Sequence, residues 1–522
     1  MLISTINFYR FFAIILAFLT SVFSSLNPCL EPEINTAKPY VKLQEVAMPE
    51  GMDGKTLSES EMLDAYRGHT DWRISEIRTT EDTIQPAEGG TAYYVSSING
   101  KSTNNGRSPE KPLSTLKDVN KLKLKAGDVV YFERGSIFRG QLLAKVEGVT
   151  YAAYGTGNKP AFYASPYDGA KTGKWLETDV ENVYVYSLDF DKKDIGAIVF
   201  DGGKQVGIKC LVSTKADGST YNKTTGEPFE SYRDLQHNLH FYHDYKVDCG
   251  FDTLYLYCED GNPADVFDSI EFSVQQNIIF VEADNVTFDN LCLKYGGARG
   301  IGSGTRNVLT VTNCEIGWIG GSIQPDLVDI RYGNGVEIYG GCDDYTVNNC
   351  YFYQIYDAAV TFQHQKTDNL KMLNIDFCNN VIEYCNYSVE YFLASTNAEE
   401  SYIENVKISG NLMWYAGYGL CEQRPDYFQE SHIRGAEHIN PTHGSFEISN
   451  NLFVISKNRL LQSNTTVSKP IYNGNTYIQF INGNLGRSGE IQNDVTFDSD
   501  VKTDIENMLG DENATVVFLN ES

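Results

Sequence analysis

Several features that would fix the class of this chain at once are missing from it. No CxxC pair occurs and the eleven cysteines are an odd number, so no disulfide framework can be read from their spacing. HExxH, the P-loop and GxSxG are all absent, which removes the short signatures of zinc proteases, phosphate-cradling NTPases and nucleophile-elbow hydrolases. Positive charge is scarce: 42 Lys+Arg stand against 69 Asp+Glu, a formal charge of −27. That balance argues against nucleic acid or an anionic membrane surface as the partner. It also disfavours a polyanionic substrate unless a cation bridges. Beyond the first 25 residues no apolar run is long enough to cross a bilayer. Asn-Gly and Asp-Gly hairpin signals are sparse between 285 and 480, which speaks against an antiparallel sandwich there.

What is present points to a folded, elongated chain. With 522 residues and 41% hydrophobic content, the chain exceeds one ordinary compact core and suits a repeat protein or two domains. The 34 Tyr and 27 Phe fit either sugar stacking or a stacked β core. Residues 1–25 read as a signal peptide: Arg10 gives the charged end, 11–23 are apolar but for two hydroxyl residues, and small Ser24 and Ser25 follow. A secreted or cell-surface protein is expected, with no membrane contact beyond that leader. Asn27-Pro28 before Cys29 departs from a lipobox. The cysteines from Cys292 to Cys378 sit in apolar strand-like runs, where Cys behaves as a small buried hydrophobe.

The second half repeats itself. "VTFDNLCLKYGGARGIG", "LTVTNCEIGWIGG", "YTVNNCYFYQIYDAAVTF", "NIDFCNNVIEYCNYSVEYF", "VKISGNLMWYAGYGLCEQ" and "FEISNNLFVISKNRLLQ" share a strand ending in Asn, an apolar strand, a turn and a third short strand. Aligned on Asn290, Asn313, Asn349, Asn380, Asn411, Asn451 and Asn475, the steps are 23, 36, 31, 31, 40 and 24 residues. The shortest match one coil of a parallel β-helix, and the longer ones carry inserted loops. One coil cannot bury its own apolar face; a stack can. Asn at the junction fits a left-handed bend, and stacked Asn side chains can bond along the ladder.

Before the repeats, 26–91 read as linker and N-terminal cap, with a capping box at Ser58-Glu59-Ser60-Glu61 opening a short helix through Tyr66 over the open solenoid end. From 92 the chain runs "AYYVSSINGKSTNNGRSPEKPLSTLKDVNKLKLKAGDVVYFERGSIFRGQ". Its Tyr-Tyr-Val-Ser strand, Asn-Asn-Gly turn, Ser-Pro-x-x-Pro segment, Gly-Asp-x-Val-x-Phe strand and Arg-Gly turn lie at 93–96, 104–106, 108–112, 127–132 and 134–135. This segment resembles the first coils of secreted right-handed parallel β-helix proteins of the pectate-lyase-like superfamily. The layout with its insertion is similar to bacterial β-helix proteins grouped with glycoside hydrolases. The resemblance implies an all-β, right-handed parallel β-helix that handles polysaccharide, without specifying the reaction. First coils are then expected at 92–165, a β-rich insertion at 166–270, the main β-helix with loop insertions at 271–482 and an acidic tail at 483–522.

Catalytic candidates follow from stacking. Setting Ile301, Val336, Val360, Val389, Leu420 and Leu460 as the inward residue of each third strand makes Gly302, Glu337, Thr361, Glu390, Cys421 and Leu461 the outward column. Rungs are about 4.8 Å apart, which sets Glu337 and Glu390 roughly 9–10 Å apart at the backbone. Inverting glycosidases hold their carboxyls roughly 6.5–9.5 Å apart and retaining ones about 5–5.5 Å. Asp357 lies at the mouth of the intervening coil, so Glu337, Asp357 and Glu390 form the expected acid/base set, with one acid kept protonated by its neighbours. Relative to a 23-residue coil the four longer steps carry 13, 8, 8 and 17 extra residues. Their loops offer Asp329, Arg331, Tyr332, Gln363, His364, Gln365, Tyr391, Glu422, Arg424, Asp426, His432 and His443. Of these, Arg331, Tyr332, Gln363, His364, Tyr391, Glu422 and Arg424 are the expected substrate-binding residues, with Trp318 as a further stacking ring.

The expected activity is hydrolysis of glycosidic bonds in a polysaccharide or oligosaccharide, with no cofactor or metal. "HNLHFYHD" at 237–244 reads as a strand, whose alternation sets its histidines on opposite faces rather than around zinc. Two alternatives stand. A polysaccharide lyase would use Ca²⁺ on carboxylates and a base such as Lys366 or Arg331, although no conspicuous Lys/Arg pair marks the coil faces. A non-catalytic glycan-binding surface protein would fit the lack of a complete known catalytic set, including the Asn-Thr-Asp, Asp-Asp, Gly-His-Gly and Arg-x-Lys set of β-helix pectin hydrolases.

Overall fold

The computed structural model describes residues 39–520 apart from 247–250, 326, 366–368, 396, 425–428, 437–439 and 489–492. The expected signal peptide at 1–25, Cys29, Lys366 and Asp426 lie outside the described residues.

Short apolar strands recur once per coil and pair in parallel with the equivalent strand of the next, so the main body is a parallel β-helix with three ladders. The first runs from Ala92–Val95 and Val129–Glu133 through Val286–Asp289, Arg306–Thr312, Cys342–Asn348, Lys371–Cys378 and Tyr402–Ser409 to Pro441–Ser449. The second includes Cys292–Lys294, Glu315–Ile319, Leu412–Ala416, Leu452–Ser456, Thr476–Phe480 and Thr515–Leu519. The third includes Ile301–Ser303, Val336–Tyr339, Ser431–Gly435, Arg459–Ser463 and Asn484–Ser488. The long strands Tyr351–His364 and Val381–Leu393 turn the corner and serve both of these ladders. Every second side chain points inward, building one continuous core that contains Ile301, Val336, Val360, Val389 and Ile433.

Two backbone columns bend each coil. At the first, Asn290, Asn313, Asn349, Asn379 and Asn450 take φ of 53 to 62°, and Gly410 and Gly474 take 67 and 68°. Asn and Gly are the residues that enter this left-handed region most cheaply. The next residue inward forms a buried asparagine ladder. The Oδ1 atoms of Asn411, Asn451 and Asn475 accept from the backbone N–H of Asn380, Asn411 and Asn451, and Asp511 closes the row on Asn475. The alignment on Asn therefore slips by one residue between Asn349 and Asn380: Cys350, not Asn349, precedes Asn380 in the inward column. At the second bend Tyr295, Trp318, Gln354, Tyr384, Tyr415 and Ile455 all take φ of 52 to 63°. Bulky residues are strained there, at a cost of roughly 1–3 kcal/mol each. The bend recurs on rungs with and without carboxylates nearby, so it belongs to the coil itself.

The capping box forms, with the Ser58 N–H donating to Glu61 Oε2 at 2.8 Å and the Glu61 N–H to Ser58 Oγ at 3.3 Å. The helix it opens, Glu59–Arg78, runs well past Tyr66 and lies along the outer face of the second ladder rather than over an end. Its apolar stripe lapses over Arg67-Gly68-His69-Thr70-Asp71. There Thr70 Oγ1 accepts from the Trp414 indole N–H, Arg67 pairs with buried Glu383, and farther on Arg78 pairs with buried Glu315 at 2.9 Å. The core is closed near the first rungs by Leu116 and Val119 of a one-turn helix and near the last by Val501, Ile505 and Leu509 of the tail helix Val501–Leu509. In the insertion a five-stranded and a three-stranded sheet, the latter ending with strand Ile270–Val274 just past the expected boundary at 270, share an apolar cluster that includes Trp175, Tyr186, Phe190, Phe241, Leu254 and Phe272.

Replacing Asn411 by Ala leaves the buried Asn380 N–H without its acceptor. Loss of about 1–3 kcal/mol is expected, read as a lower denaturant midpoint. Lys407→Ala, on the exposed face of the preceding strand, should stay within about 0.5 kcal/mol of the parent.

Candidate active site

The third ladder sets one outward column in register: Gly302, Glu337, Thr361, Glu390, Arg434, Gln462 and Arg487. Glu337 and Glu390 thus share a face, two rungs apart across Thr361. Past Glu390 the column differs from the expected one. Leu420 and Cys421 lie in the 3-10 helix Gly419–Gln423, and the strand that continues the ladder is Ser431–Gly435, which puts Arg434 where Cys421 was expected and Gln462 where Leu461 was.

All three expected carboxylates are present at this face, and each has its own arginine. Glu337 is 1% exposed. Arg299 Nε lies 2.6 Å from its Oε1, while Asn334 Nδ2 and Gln363 Nε2 donate to Oε2 at 2.5 and 2.9 Å. Arg299 also lies over the Tyr332 ring, 5.3 Å from its centroid. Asp357 sits at the corner between ladders, where its N–H donates to the Gly333 carbonyl, and Arg424 Nη1 is 2.6 Å from its Oδ1. Glu390 is 7% exposed and accepts from Arg434 Nε at 3.2 Å. Arg434 bonds Gln429 with another arm and lies 4.9 Å from the Tyr387 ring centroid. A buried carboxylate is tolerated only when paired, so the arginines are what allow three acids at one face.

The acids are not equivalent. Burial, and then the negative charge of Asp357, push the Glu390 carboxyl up to about 7, against the pull of Arg434 and Arg424. Glu390 thus feels the charge of Asp357 across the corner, while Glu337 is held by the Arg299 ion pair and two amide donors. The sequence left open which acid its neighbours would keep protonated; burial and the charge of Asp357 both favour the protonated form of Glu390.

The expected binding residues divide. Tyr332, Gln363 and Arg424 line the patch as described, and His364 packs by the Tyr339 ring at 5.1 Å on its rim. Arg331 is elsewhere engaged: it is 2% exposed and donates to the carbonyls of Gly321, Gln423 and Gly196. It clamps the insertion to the solenoid and cannot reach a sugar. Tyr391 points into the core between Phe362 and Phe446, its hydroxyl accepting from the Asn464 N–H. The alternation that turns Glu390 out turns Tyr391 in. Glu422 faces solvent, accepts from the Gly419 N–H and pairs with Lys457 at 3.3 Å. Trp318 packs against Ala197 and Val199 of the insertion. Asp329 pairs with Lys223, His443 bonds the Ala398 carbonyl, and fully buried His432, whose imidazole burial pushes down to about 3, bonds Ser388.

Sequence reasoning missed Arg299, Asn334, Tyr387 and Arg434. Arg434 stands one residue after inward Ile433, so alternation in "SHIRG" carried its signal, whereas Arg299 precedes the strand Ile301–Ser303 and alternation says nothing of it. In the insertion His243 is bonded to buried Asp194 and Asp252, while His237 and His240 sit with ring centroids 4.9 Å apart. Among the described residues no group of three or more His, Cys, Asp or Glu is placed to hold a metal ion.

No protein-family model and no curated protein matches this chain. Among solved structures it is similar to XylC in complex with xylose (13% identity, 76% of this chain and 69% of that one, TM-score 0.39). It is also similar to a GH136 lacto-N-biosidase from Eubacterium ramulus (14% identity, 88% and 72%, TM-score 0.35). A third is a rhamnogalacturonan lyase (11% identity, 76% and 75%, TM-score 0.35). The fold assignment stands on the ladders themselves.

A raised carboxyl makes stability depend on pH. The folded chain holds the Glu390 proton between about 4.5 and about 7 while the unfolded chain releases it, so this residue's contribution declines as pH rises through that window. Glu390→Gln removes the decline. Measured by denaturant unfolding, the variant should gain stability relative to the parent on going from pH 5 to pH 8; an unchanged difference between the two would show that Glu390 titrates normally.

Proposed function

We propose that this chain is a secreted carbohydrate-active enzyme that hydrolyses glycosidic bonds of a polysaccharide or oligosaccharide. The reading is carried by one observation: Asp357 and Glu390 meet at one solenoid corner, each paired with its own arginine, where burial and the charge of Asp357 push the Glu390 carboxyl up to about 7. Glu390 is the general acid that protonates the leaving oxygen. Its conjugate base is then stabilised by Arg434, whose bond to it strengthens as negative charge develops, the kind of differential contact that lowers a barrier. Asp357 is the second carboxylate and acts at the anomeric carbon, directly or through a water. Arg424 orients Asp357, and buried Glu337 fixes Arg299 and Gln363 beside them. Delivery outside the cytoplasm by the segment at 1–25 belongs to the same reading.

A polysaccharide panel assayed for both reducing ends and unsaturated products tests it. Reducing ends without new double bonds are expected. On the substrate so found, Glu390→Gln and Asp357→Asn should each lower kcat by about 10²–10⁴-fold, and activity should fall as pH rises above about 7. Unsaturated products would assign the chain to lyases, and full activity in either variant would remove these residues from the chemistry.

A further inference from the structure

A groove of about 410 Å³ lies on the same corner of the solenoid, lined in part by Tyr418, Lys457, Asn458, Gln479, Asn482 and Asn484. Its position follows from the register. Strand Val381–Leu393, which carries Glu390, is followed along the third ladder by Ser431–Gly435, Arg459–Ser463 and Asn484–Ser488. Asn458 and Asn484 thus stand two and three rungs beyond Glu390, roughly 10–14 Å along the axis. The two places are also joined in sequence: Tyr418 opens the 3-10 helix Gly419–Gln423, and the residue after that helix is Arg424, which grips Asp357.

The chemistry of the lining is that of a receptor for hydroxyls. Carboxamides donate and accept at once, as sugar hydroxyls do. The floor is fixed, because buried Gln479 donates to the Ser456 carbonyl at 3.1 Å and accepts from the Phe480 N–H. Asn484 donates to the Asn458 carbonyl at 3.2 Å, which locks the two rungs together. Half-buried Tyr418 supplies an aromatic ring at the lip. Among the described lining residues the one cation, Lys457, lies 6.0 Å from that ring centroid and is balanced by Glu422. Charge in the lining is therefore neutralised, which selects against a uronate or sulfated sugar and for an uncharged one.

We infer that this groove is a distal subsite for a neutral saccharide chain that runs along the solenoid axis from the Asp357–Glu390 corner. The inference rests on the hydrolase reading for where the chain is cut, but not for whether the groove binds it. The substrate is then an uncharged oligosaccharide or polysaccharide several units long, and a disaccharide that fills the corner alone leaves the groove empty.

Calorimetric titration of the Glu390→Gln chain with xylohexaose, cellohexaose and mannohexaose, with the matching disaccharides and with hexagalacturonate, tests this. At least one neutral hexasaccharide should bind more tightly than its disaccharide. Adding Tyr418→Ala should weaken the hexasaccharide roughly tenfold, about the worth of one well-packed aromatic contact, and leave the disaccharide unchanged. Tyr418→Phe should restore binding, which separates loss of the ring from loss of the fold. Equal hexasaccharide binding with and without the ring, no neutral hexasaccharide binding, or a ring-dependent preference for hexagalacturonate would each overturn the subsite. Cleavage by the parent chain is followed in parallel. Ring-dependent binding without cleavage would remove the hydrolase reading and leave the groove; cleavage that ignores Tyr418 would do the reverse.

Discussion

The parallel register is the constraint on which the rest depends. Each coil must lie over its neighbour with inward residues matched to inward residues, because a slip of one position would expose the whole apolar row and bury the polar one. That register is pinned from inside by the asparagine ladder ending at Asp511 and by the left-handed bends at Asn290, Asn313, Asn349, Asn379 and Asn450. Loops of very different length can then be inserted between coils without moving the rungs. Glu337, Thr361, Glu390 and Arg434, spread over nearly a hundred residues of chain, become neighbours for that reason alone.

Burial of charge then becomes the second theme. The solenoid carries charged side chains on its outward faces, yet many of them are covered: by the long helix over Glu315 and Glu383, and at the corner around Glu337 and Glu390. Under the helix the solution is structural, an arginine for each glutamate. At the corner each acid has its arginine too, but Asp357 also acts on Glu390 as a like charge where both are largely buried. The difference between the two locations is the like-charge neighbour, and it is that neighbour which makes the corner chemically distinct.

The ladder was legible in the sequence because the 23-residue coils set a clear period and the side chains alternate within each strand. Glu337 and Glu390 could be placed in one column from that alone, and the structure keeps them there. The longest step, 40 residues between Asn411 and Asn451, is where the reading failed: two aliphatic candidates, Leu420 and Ile433, compete for one rung, and only Ile433 stands in a strand. Arg434 was lost with that choice. Arg331 and Tyr391 were misjudged because residue type suggested a sugar contact while position fixed a buried one: two of the three carbonyls that claim Arg331, those of Gly196 and Gln423, are distant in sequence, which no local pattern reveals. The length of the first helix was hidden for a similar reason, since its buried face uses Thr70 and two arginines in place of an apolar stripe.

Burial first, and then the negative charge of Asp357, push the Glu390 carboxyl up to about 7. Isotope-edited infrared titration of the parent chain against Glu390→Gln isolates the Glu390 carboxyl band. This band should change from acid to carboxylate near pH 7, with its midpoint moving down in Asp357→Asn. A midpoint near 4.5 in the parent, or one indifferent to Asp357, would contradict this.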